Sequence, residues 1–275
     1  MKHLLLTLLF IGPLAWIQPV EAQDIASAFR ERKSFQPVPL AAEVKTSIGA
    51  FTSIANATFK PEGAGPFPAV VLMHTCGGVH NPHIRQHARE LLKTGHVVLV
   101  LDSFEPRGMK NCSSSPLSTE AGVIDAYAAL AFLARQPFVN PARIYQTGYS
   151  WGGMVGNLLA SPQSAALVAS PLRFRATVSN YATCVYQSSY TFVFKDSDRP
   201  LLLLLGEKDE ELPPTSCFPL LEQLKDAGAP VHWHVIAGAT HGWDKQGQRD
   251  RGYVYDEGHT QEAMRRLLAF IAQHP

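Results

Sequence analysis

Residues 143–153 read RIYQTGYSWGG, the segment most informative about the fold. A strand-like run ends in Gly148-Tyr149-Ser150-Trp151-Gly152, and a helical stretch at Met154–Ala160 follows it. The five residues match G-x-S-x-G, which marks a sharp strand-to-helix turn with the serine at its tip, above the end of the sheet. Glycine at 148 and 152 allows the close approach of strand and helix that such a turn needs. The competing interpretation is a glycine-rich turn whose serine only caps the helix.

Further apolar runs flanked by turn residues recur along the chain. Most of them are continuous rather than alternating, as is typical of parallel strands that are buried on both faces. We predict strands over Pro68–His74, His96–Asp102, Arg143–Thr147, Ala176–Tyr181, Pro200–Leu205 and Val231–Ile236.

Stretches with apolar residues at three- and four-residue spacing separate these runs. The spacing predicts helices over Ile84–Thr94, Thr119–Arg135, Met154–Ala160, Thr215–Ala227 and Thr260–Gln273. Alternating strands and helices predict an α/β fold, with a mostly parallel sheet covered by helices on both faces. The segment Glu43–Lys60 is expected to add short antiparallel edge strands.

Composition excludes several functional classes. Hydrophobic residues make up 46% of the 275 residues, which is enough for a sizeable core. The formal net charge is +1 and the chain has no polybasic run, so we expect no nucleic-acid partner and no binding to an anionic membrane. No internal repeat is visible, which argues against a solenoid or a propeller.

Residues 1–22 have the pattern of a secretory signal peptide. Lys2 supplies the positive charge, Leu4–Ile17 is apolar, and Val20 and Ala22 stand at the −3 and −1 positions of a cleavage site. The alternative is an uncleaved anchor, but the apolar run is shorter than a bilayer span. Cleavage would leave 23–275 as a single domain without a membrane span. We therefore expect an exported protein, periplasmic or secreted, in a compartment where disulfides persist.

Two loops that leave predicted strands carry partners for Ser150. A serine hydroxyl is a weak nucleophile and needs an adjacent base, itself oriented by an acid. Asp209 follows one strand and His241 follows the last, in the chain order Ser, acid, His. The rival acids are Glu207, Glu210 and Glu211, and the less favoured bases His232 and His234 lie inside a strand.

An anion formed beside Ser150 would need backbone N–H donors. One is expected from Trp151, the residue after the serine. The second is expected from the loop His74-Thr75-Cys76-Gly77-Gly78, with the N–H of Cys76 as the favoured donor.

These motifs together resemble the α/β-hydrolase superfamily, and within it the dienelactone hydrolase family. The resemblance covers most of 23–275 and rests on HTCGG (74–78), LDSFEPRG (101–108), GYSWGG (148–153), GEKDE (206–210) and THGW (240–243). Two positions depart from the family pattern. Ser150 stands where the family has a cysteine nucleophile, and Thr75 stands where it has a glutamate.

The resemblance implies an enzyme that needs no cofactor and cleaves a small-molecule carboxylic ester or a lactone. We expect it to be a monomer or weak dimer. Two alternatives stay open at this point. One is a peptidase or amidase that uses the same three residues, and the other is a catalytically silent binding protein on a hydrolase fold.

Four cysteines in an exported chain allow three complete pairings. Cys76 and Cys112 follow two successive predicted strands, and Cys184 and Cys217 follow two others. We therefore predict disulfides Cys76–Cys112 and Cys184–Cys217, each fastening loops at the same edge of the sheet. The alternative is four free buried thiols.

Arg107 follows a predicted strand and could bind a substrate carboxylate. The favoured alternative is an internal ion pair with Glu105 or Asp102, or a packed side-chain stem. His80, His83 and His87 have helical spacing, but Pro82 lies among them and no acid or cysteine completes a ligand set, so no metal site is predicted.

Overall fold

The computed structural model describes residues 36–112, 118–186, 190–250 and 252–275. The predicted signal peptide and its cleavage site lie outside these residues. Within the described part of the chain, no helix is both long and apolar enough to cross a bilayer.

An eight-stranded, mostly parallel sheet runs through the molecule. Its strands are β1 (Val44–Lys45), β2 (Ala57–Phe59), β3 (Phe67–Met73), β4 (Val97–Leu101), β5 (Val139–Tyr149), β6 (Thr177–Asn180), β9 (Leu201–Gly206) and β10 (Val231–Ile236). Their order is β1-β2-β4-β3-β5-β6-β9-β10. Two small antiparallel strand pairs lie outside the main sheet, β7 (Val185–Tyr186) with β8 (Tyr190–Thr191), and β11 (Arg249–Asp250) with β12 (Tyr253–Val254).

Helices cover both faces of the sheet, as the strand pattern predicted. They are α1 (Pro82–Lys93), α2 (Thr119–Ala134), α3 (Trp151–Leu159), α4 (Pro162–Leu167), α5 (Phe218–Asp226) and α6 (Glu257–Ala272). The strand β3 shows why its sequence is apolar throughout. Val70 and Leu72 pack into the core beneath α1 and α6, whereas Val71 and Met73 pack into the core beneath α2 and α3.

The segment before β3 adds two short edge strands that run antiparallel to the rest of the main sheet, as expected. The strand β2 is antiparallel to its neighbour β4. The outermost strand β1 pairs with β2 in parallel. The connection between them, 46–56, crosses over instead of forming a hairpin, and its Ile48 and Ile54 are buried in the core.

The parallel strands bring six loops to one edge of the sheet, including the loop after β4, and five of them carry the residues of the candidate site. The strands β3, β5, β6, β9 and β10 all run in the same direction. The residues that directly follow them therefore meet at their carboxyl ends, where α/β sheets form their sites. Cys76, Ser150, Tyr181, Asp209 and His241 lie in these five loops.

Candidate active site

Ser150 occupies a strained turn between β5 and α3. Its backbone has φ 51° and ψ −111°, although it is not a glycine, and its side chain is almost fully buried. The Ser150 N–H donates to the carbonyl of Asn180 at 2.9 Å, and the N–H of Gly152 donates to the carbonyl of His74 at 3.2 Å. These bonds tie the turn to the neighbouring strands and hold the serine in its unfavourable conformation.

Two glycines are required by close contacts at this turn. A Cβ at position 148 would lie 2.0 Å from the carbonyl oxygen of Gly152. A Cβ at position 152 would lie 2.7 Å from the carbonyl oxygen of His74. Both clashes are with backbone atoms, so any larger residue would force the strand and helix apart.

Ser150, His241 and Asp209 form one hydrogen-bonded chain. Nε2 of His241 lies 3.1 Å from Oγ of Ser150, and Nδ1 lies 2.8 Å from Oδ2 of Asp209. All three side chains are at least 95% buried. A carboxylate at Nδ1 fixes the tautomer in which Nε2 can accept the serine proton.

Asp209 is itself held by its own loop. Its Oδ1 accepts the N–H groups of Glu211 at 3.0 Å and Leu212 at 2.7 Å, which leaves Oδ2 directed at the imidazole. Of the rival acids, Glu207 accepts the N–H of Gly238 at 2.8 Å and Glu210 is exposed. Glu211 lies 3.9 Å from Nε2 of His241, on the nitrogen that faces Ser150 and not on the one that faces Asp209.

The loop after β3 is fastened from two sides. The structure joins Cys76 to Cys112, and the N–H of Cys112 donates to the carbonyl of Cys76 at 3.0 Å. The buried His74 ring holds the base of the loop, because Nδ1 lies 2.7 Å from the carbonyl of Thr75 and Nε2 accepts the N–H of Ser103 at 3.2 Å. The loop that carries the predicted donor Cys76 is therefore preorganised.

The second disulfide joins Cys184, after β6, to Cys217, which precedes α5. Both pairs are the ones expected, and the described residues include no free cysteine.

Arg107 makes an internal ion pair, but its partner is neither of the expected residues, Glu105 and Asp102. Its guanidinium holds Asp125 in α2 through two hydrogen bonds of 2.8 and 3.0 Å. It also donates to the carbonyls of Ser103 and Gln36. Asp125 is fully buried and distant in sequence, so only the folded chain could show the pairing.

The three histidines of the 80–87 segment have different surroundings. The helix α1 begins at Pro82, earlier than predicted, and this places His83 and His87 on its buried face. The exposed His80 lies 3.3 Å from Glu105. His80, Asp102 and Glu105 offer ligand atoms within 4.8 Å of one another, but two of these side chains are mostly exposed.

Sequence reasoning missed a buried polar cluster beside His241. It consists of His83 and His87 from α1, Tyr181 after β6, and Asp244. We call this set the His87–Asp244 cluster. Burial lowers the pKa of His83 to about 4. Burial works against ionisation of Asp244 too, but the neighbouring His83, His87 and Tyr181 outweigh it and lower its pKa to about 2. The four-residue spacing of the two histidines is the available sequence signal, and it does not distinguish a buried polar cluster from a metal site.

A parallel sheet with the strand–Ser150–helix turn, and with an acid and a histidine on later loops, defines an α/β-hydrolase. The family model of the dienelactone hydrolases matches residues 54–275. The chain therefore belongs to the dienelactone hydrolase family, and it is a carboxylic ester hydrolase.

Relatives of known sequence and structure agree with this assignment. A protein of Methylorubrum extorquens assigned as a carboxymethylenebutenolidase is 26% identical, over 99% of this chain and 92% of its own. A Klebsiella pneumoniae protein assigned as a dienelactone hydrolase superposes with a TM-score of 0.63 at 23% identity, over 78% of this chain and 91% of its own. Thermogutta terrifontis esterase 2 superposes with a TM-score of 0.60 at 17% identity, over 78% of this chain and 87% of its own. The two structural likenesses show the fold.

Proposed function

We propose that this protein is an exported serine hydrolase that cleaves small carboxylic esters or lactones through an acyl-enzyme on Ser150. The observation that carries the proposal is the buried Ser150–His241–Asp209 chain of hydrogen bonds, built on a strained turn at the carboxyl edge of the sheet. Structural strain of this kind is concentrated at functional sites.

In the first half of the reaction, Oγ of Ser150 attacks the ester carbonyl carbon and its proton passes to Nε2 of His241. The resulting imidazolium is stabilised by the Asp209 carboxylate at Nδ1. The tetrahedral intermediate then collapses, the C–O bond to the alcohol breaks, and the alcohol oxygen takes the proton from Nε2. With a lactone, the alcohol stays attached to the acyl group.

In the second half, water attacks the acyl carbon while His241 accepts its proton, and Ser150 leaves with that proton as the free hydroxyl. The carboxylic acid is released and the enzyme returns to its starting state.

The N–H groups of Cys76 and Trp151 are the proposed donors to the oxyanion. Cys76 lies on the loop fastened by Cys112 and His74, and Trp151 opens α3, where the helix dipole favours negative charge. Preorganised donors cost little reorganisation when the charge develops, and removing one typically costs about 100- to 1,000-fold in kcat.

The substrate class follows from the family and from the departures at the site. The carboxymethylenebutenolidase name of the relatives supports an ester or lactone. However, Ser150 and Thr75 replace the cysteine and glutamate of the family pattern, so a general carboxylic ester is the preferred substrate. Arg107 is occupied by Asp125, which removes the reason to expect a substrate carboxylate at that position.

Export and assembly form a further part of the proposal. Two disulfides are compatible with an oxidising compartment. We propose cleavage after Ala22, giving a monomer or weak dimer that begins at Gln23. Intact-mass measurement of the protein recovered from the periplasm or medium tests the cleavage. An exported protein that still contains residues 1–22 would contradict it.

The catalytic proposal is tested by labelling the mature protein with a fluorophosphonate and assaying p-nitrophenyl esters in parallel with matched amides. We expect labelling of Ser150 and ester turnover. Ser150→Ala should abolish labelling and lower kcat by about 10⁴- to 10⁶-fold, while the protein keeps its fold.

Ser197→Ala is the matched control. Ser197 is also buried, but its hydroxyl donates to the carbonyl of Phe194 at the opposite edge of the sheet, so labelling should persist. Faster cleavage of amides than esters would indicate a peptidase or amidase, and an inert wild-type protein would indicate a binding protein.

A further inference from the structure

The His87–Asp244 cluster is a buried hydrogen-bonded unit that the proposed chemistry does not use. Nε2 of His87 lies 2.6 Å from Oδ2 of Asp244, and the hydroxyl of Tyr181 donates to both carboxylate oxygens, at 2.8 and 3.0 Å. All three side chains are at least 95% buried. Because an ionised carboxylate can only accept, the short contact requires a proton on Nε2 of His87.

The cluster contacts two of the segments that carry proposed catalytic residues, the turn at Ser150 and the loop of His241. The ring of Tyr181 meets the His241 imidazole edge-to-face, with centroids 5.1 Å apart at 68°. The ring of His87 stacks on Tyr149, the residue before Ser150, at 4.4 Å and 7°. Asp244 is three residues after His241 in the same loop. The cluster therefore contacts both the base and the turn that holds the nucleophile.

Tyr181 is held in an unusual backbone conformation at this contact. Its φ is 38°, in the left-handed region that aromatic residues rarely adopt. Its N–H donates to the carbonyl of Leu204 in β9 at 2.8 Å, and its hydroxyl is held by Asp244. The strained backbone and the buried carboxylate together place the ring against His241.

Asp244 is linked to the base through Tyr181, whose hydroxyl donates to its carboxylate and whose ring contacts His241. The groups that face Asp244 are Tyr181, His83 and His87 of α1, Tyr149 and Lys245. The groups that face His241 are Asp209, Glu211, Ser150 and the rings of Tyr181 and Tyr253. A buried carboxylate favours a positive charge nearby, and His241 becomes positive when it takes the serine proton.

We propose that Asp244 and Tyr181 are positioning residues for His241. The Tyr181 ring fixes the plane of the imidazole, and the Asp244 carboxylate holds that ring in place and stabilises the imidazolium. The inference rests on the proposed function, in which His241 is the base.

The first test is the pH profile of kcat/KM for a p-nitrophenyl ester with Asp244→Asn. The acid limb reports protonation of His241 in the free enzyme. Loss of the nearby negative charge makes the imidazolium less favourable, so the limb should move to lower pH by about 0.5 to 1 unit. The same loss should lower the plateau kcat about tenfold with KM within about twofold.

Asp198→Asn is the matched control. Asp198 pairs with Arg173 at 2.7 Å, but it precedes β9 and lies at the edge of the sheet opposite the proposed site. This variant should leave the acid limb in place even if it lowers the melting temperature. The proposal would be overturned if the acid limb of Asp244→Asn fell at the same pH as the acid limbs of the wild type and Asp198→Asn.

Tyr181→Phe is the second variant, and it decides the question if Asp244→Asn does not fold. It keeps the ring and the carboxylate but removes the hydroxyl that joins them. We expect kcat to fall about fivefold or more with KM nearly unchanged, and a smaller limb shift than with Asp244→Asn, since the charge remains. A wild-type kcat in this variant would also contradict the proposal.

Fluorophosphonate labelling of the wild type separates the two levels of inference. An unlabelled, inert wild type would refute the proposed function and this inference with it. A labelled wild type, together with an unchanged Asp244→Asn profile and Tyr181→Phe kcat, would refute this inference alone.

Discussion

At the residue scale, the candidate site depends on a few positions where close contacts or hydrogen bonds allow only one type of side chain. Gly148 faces the Gly152 carbonyl, and Asp209 divides its two oxygens between its own loop and His241. Both residues are identifiable in the sequence, but the sequence does not show how closely they are constrained.

Gly148→Ala should destabilise the protein severely. The new Cβ would meet the Gly152 carbonyl at 2.0 Å, and neither backbone segment can move without disturbing the turn at Ser150. We expect a loss of about 3 kcal/mol or more in the free energy of unfolding, measured by urea denaturation. Gly258→Ala in α6 is the control, because its nearest neighbour is the Asp256 side chain at 3.1 Å. Equal stability of the two variants would refute this account.

Asp209→Asn and Glu211→Gln together identify the acid that serves His241. Asp209→Asn should lower kcat about 10⁴-fold, because it leaves the imidazole in the wrong tautomer. Glu211→Gln should cost less than about tenfold, since Glu211 is half-exposed and faces Nε2 from 3.9 Å. Steady-state kinetics on one ester decides between them, and the reverse order of effects would assign the role to Glu211.

At the scale of elements, two disulfides hold loops that the sheet brings together. Cys76–Cys112 closes 36 residues and Cys184–Cys217 closes 33, so chain entropy predicts a similar contribution to stability of about 4 kcal/mol from each. Their contributions to catalysis should differ, because only Cys76 is a proposed oxyanion donor.

The paired replacements Cys76→Ser/Cys112→Ser and Cys184→Ser/Cys217→Ser test this difference. We expect comparable losses of stability by urea denaturation at 25 °C. The first pair should also lower kcat about tenfold or more at a temperature where both proteins are folded, because the loop after β3 is no longer fixed. Equal kcat values in the two folded variants would show that the first disulfide is only a stabilising link.

At the scale of the whole molecule, the buried cluster makes stability depend on pH. The pKa of His83 falls to about 4 in the fold from 6.5, so the unfolded chain binds a proton in this window that the folded one does not. Stability should therefore decrease as the pH falls from about 6.5 to 4. Asp244, whose folded-state pKa is about 2 against 3.8, adds a further loss below about pH 4 as it becomes protonated.

His83→Leu should remove the first part of this acid destabilisation. Nε2 of His83 has no hydrogen-bond partner in the described chain, so an apolar side chain of similar size breaks no hydrogen bond there. We expect the wild type to lose about 2 to 3 kcal/mol between pH 6.5 and 4.5, and the variant much less of it. Urea titrations at several pH values measure this. The control is His80→Gln at an exposed position, whose stability should depend on pH as that of the wild type does. If His83→Leu lost as much stability as the wild type between pH 6.5 and 4.5, His83 would not be the group responsible.

Much of the fold was predictable from local pattern. Apolar runs predicted the main-sheet strands β3, β4, β5, β6, β9 and β10. Most of these runs are continuous because burial on both faces leaves no polar alternation, as Val70 and Val71 show. The strand pairing at the β1–β2 edge of the sheet was less predictable. The pairing of β1 with β2 depends on where the crossover 46–56 buries Ile48 and Ile54, and no short-range signal encodes that.

The residues of the proposed triad and its turn can be identified from the sequence, because parallel strands place their following loops at one edge of the sheet. Which of several chemically equivalent groups meet depends on the tertiary structure. It selected Asp209 over Glu211 at Nδ1, joined Arg107 to Asp125, and brought His87 and Tyr181 to Asp244. These partners are 18 to 157 residues apart. Side-chain type indicates what a residue can bind, and only the packing of distant elements determines which partner comes within hydrogen-bond distance.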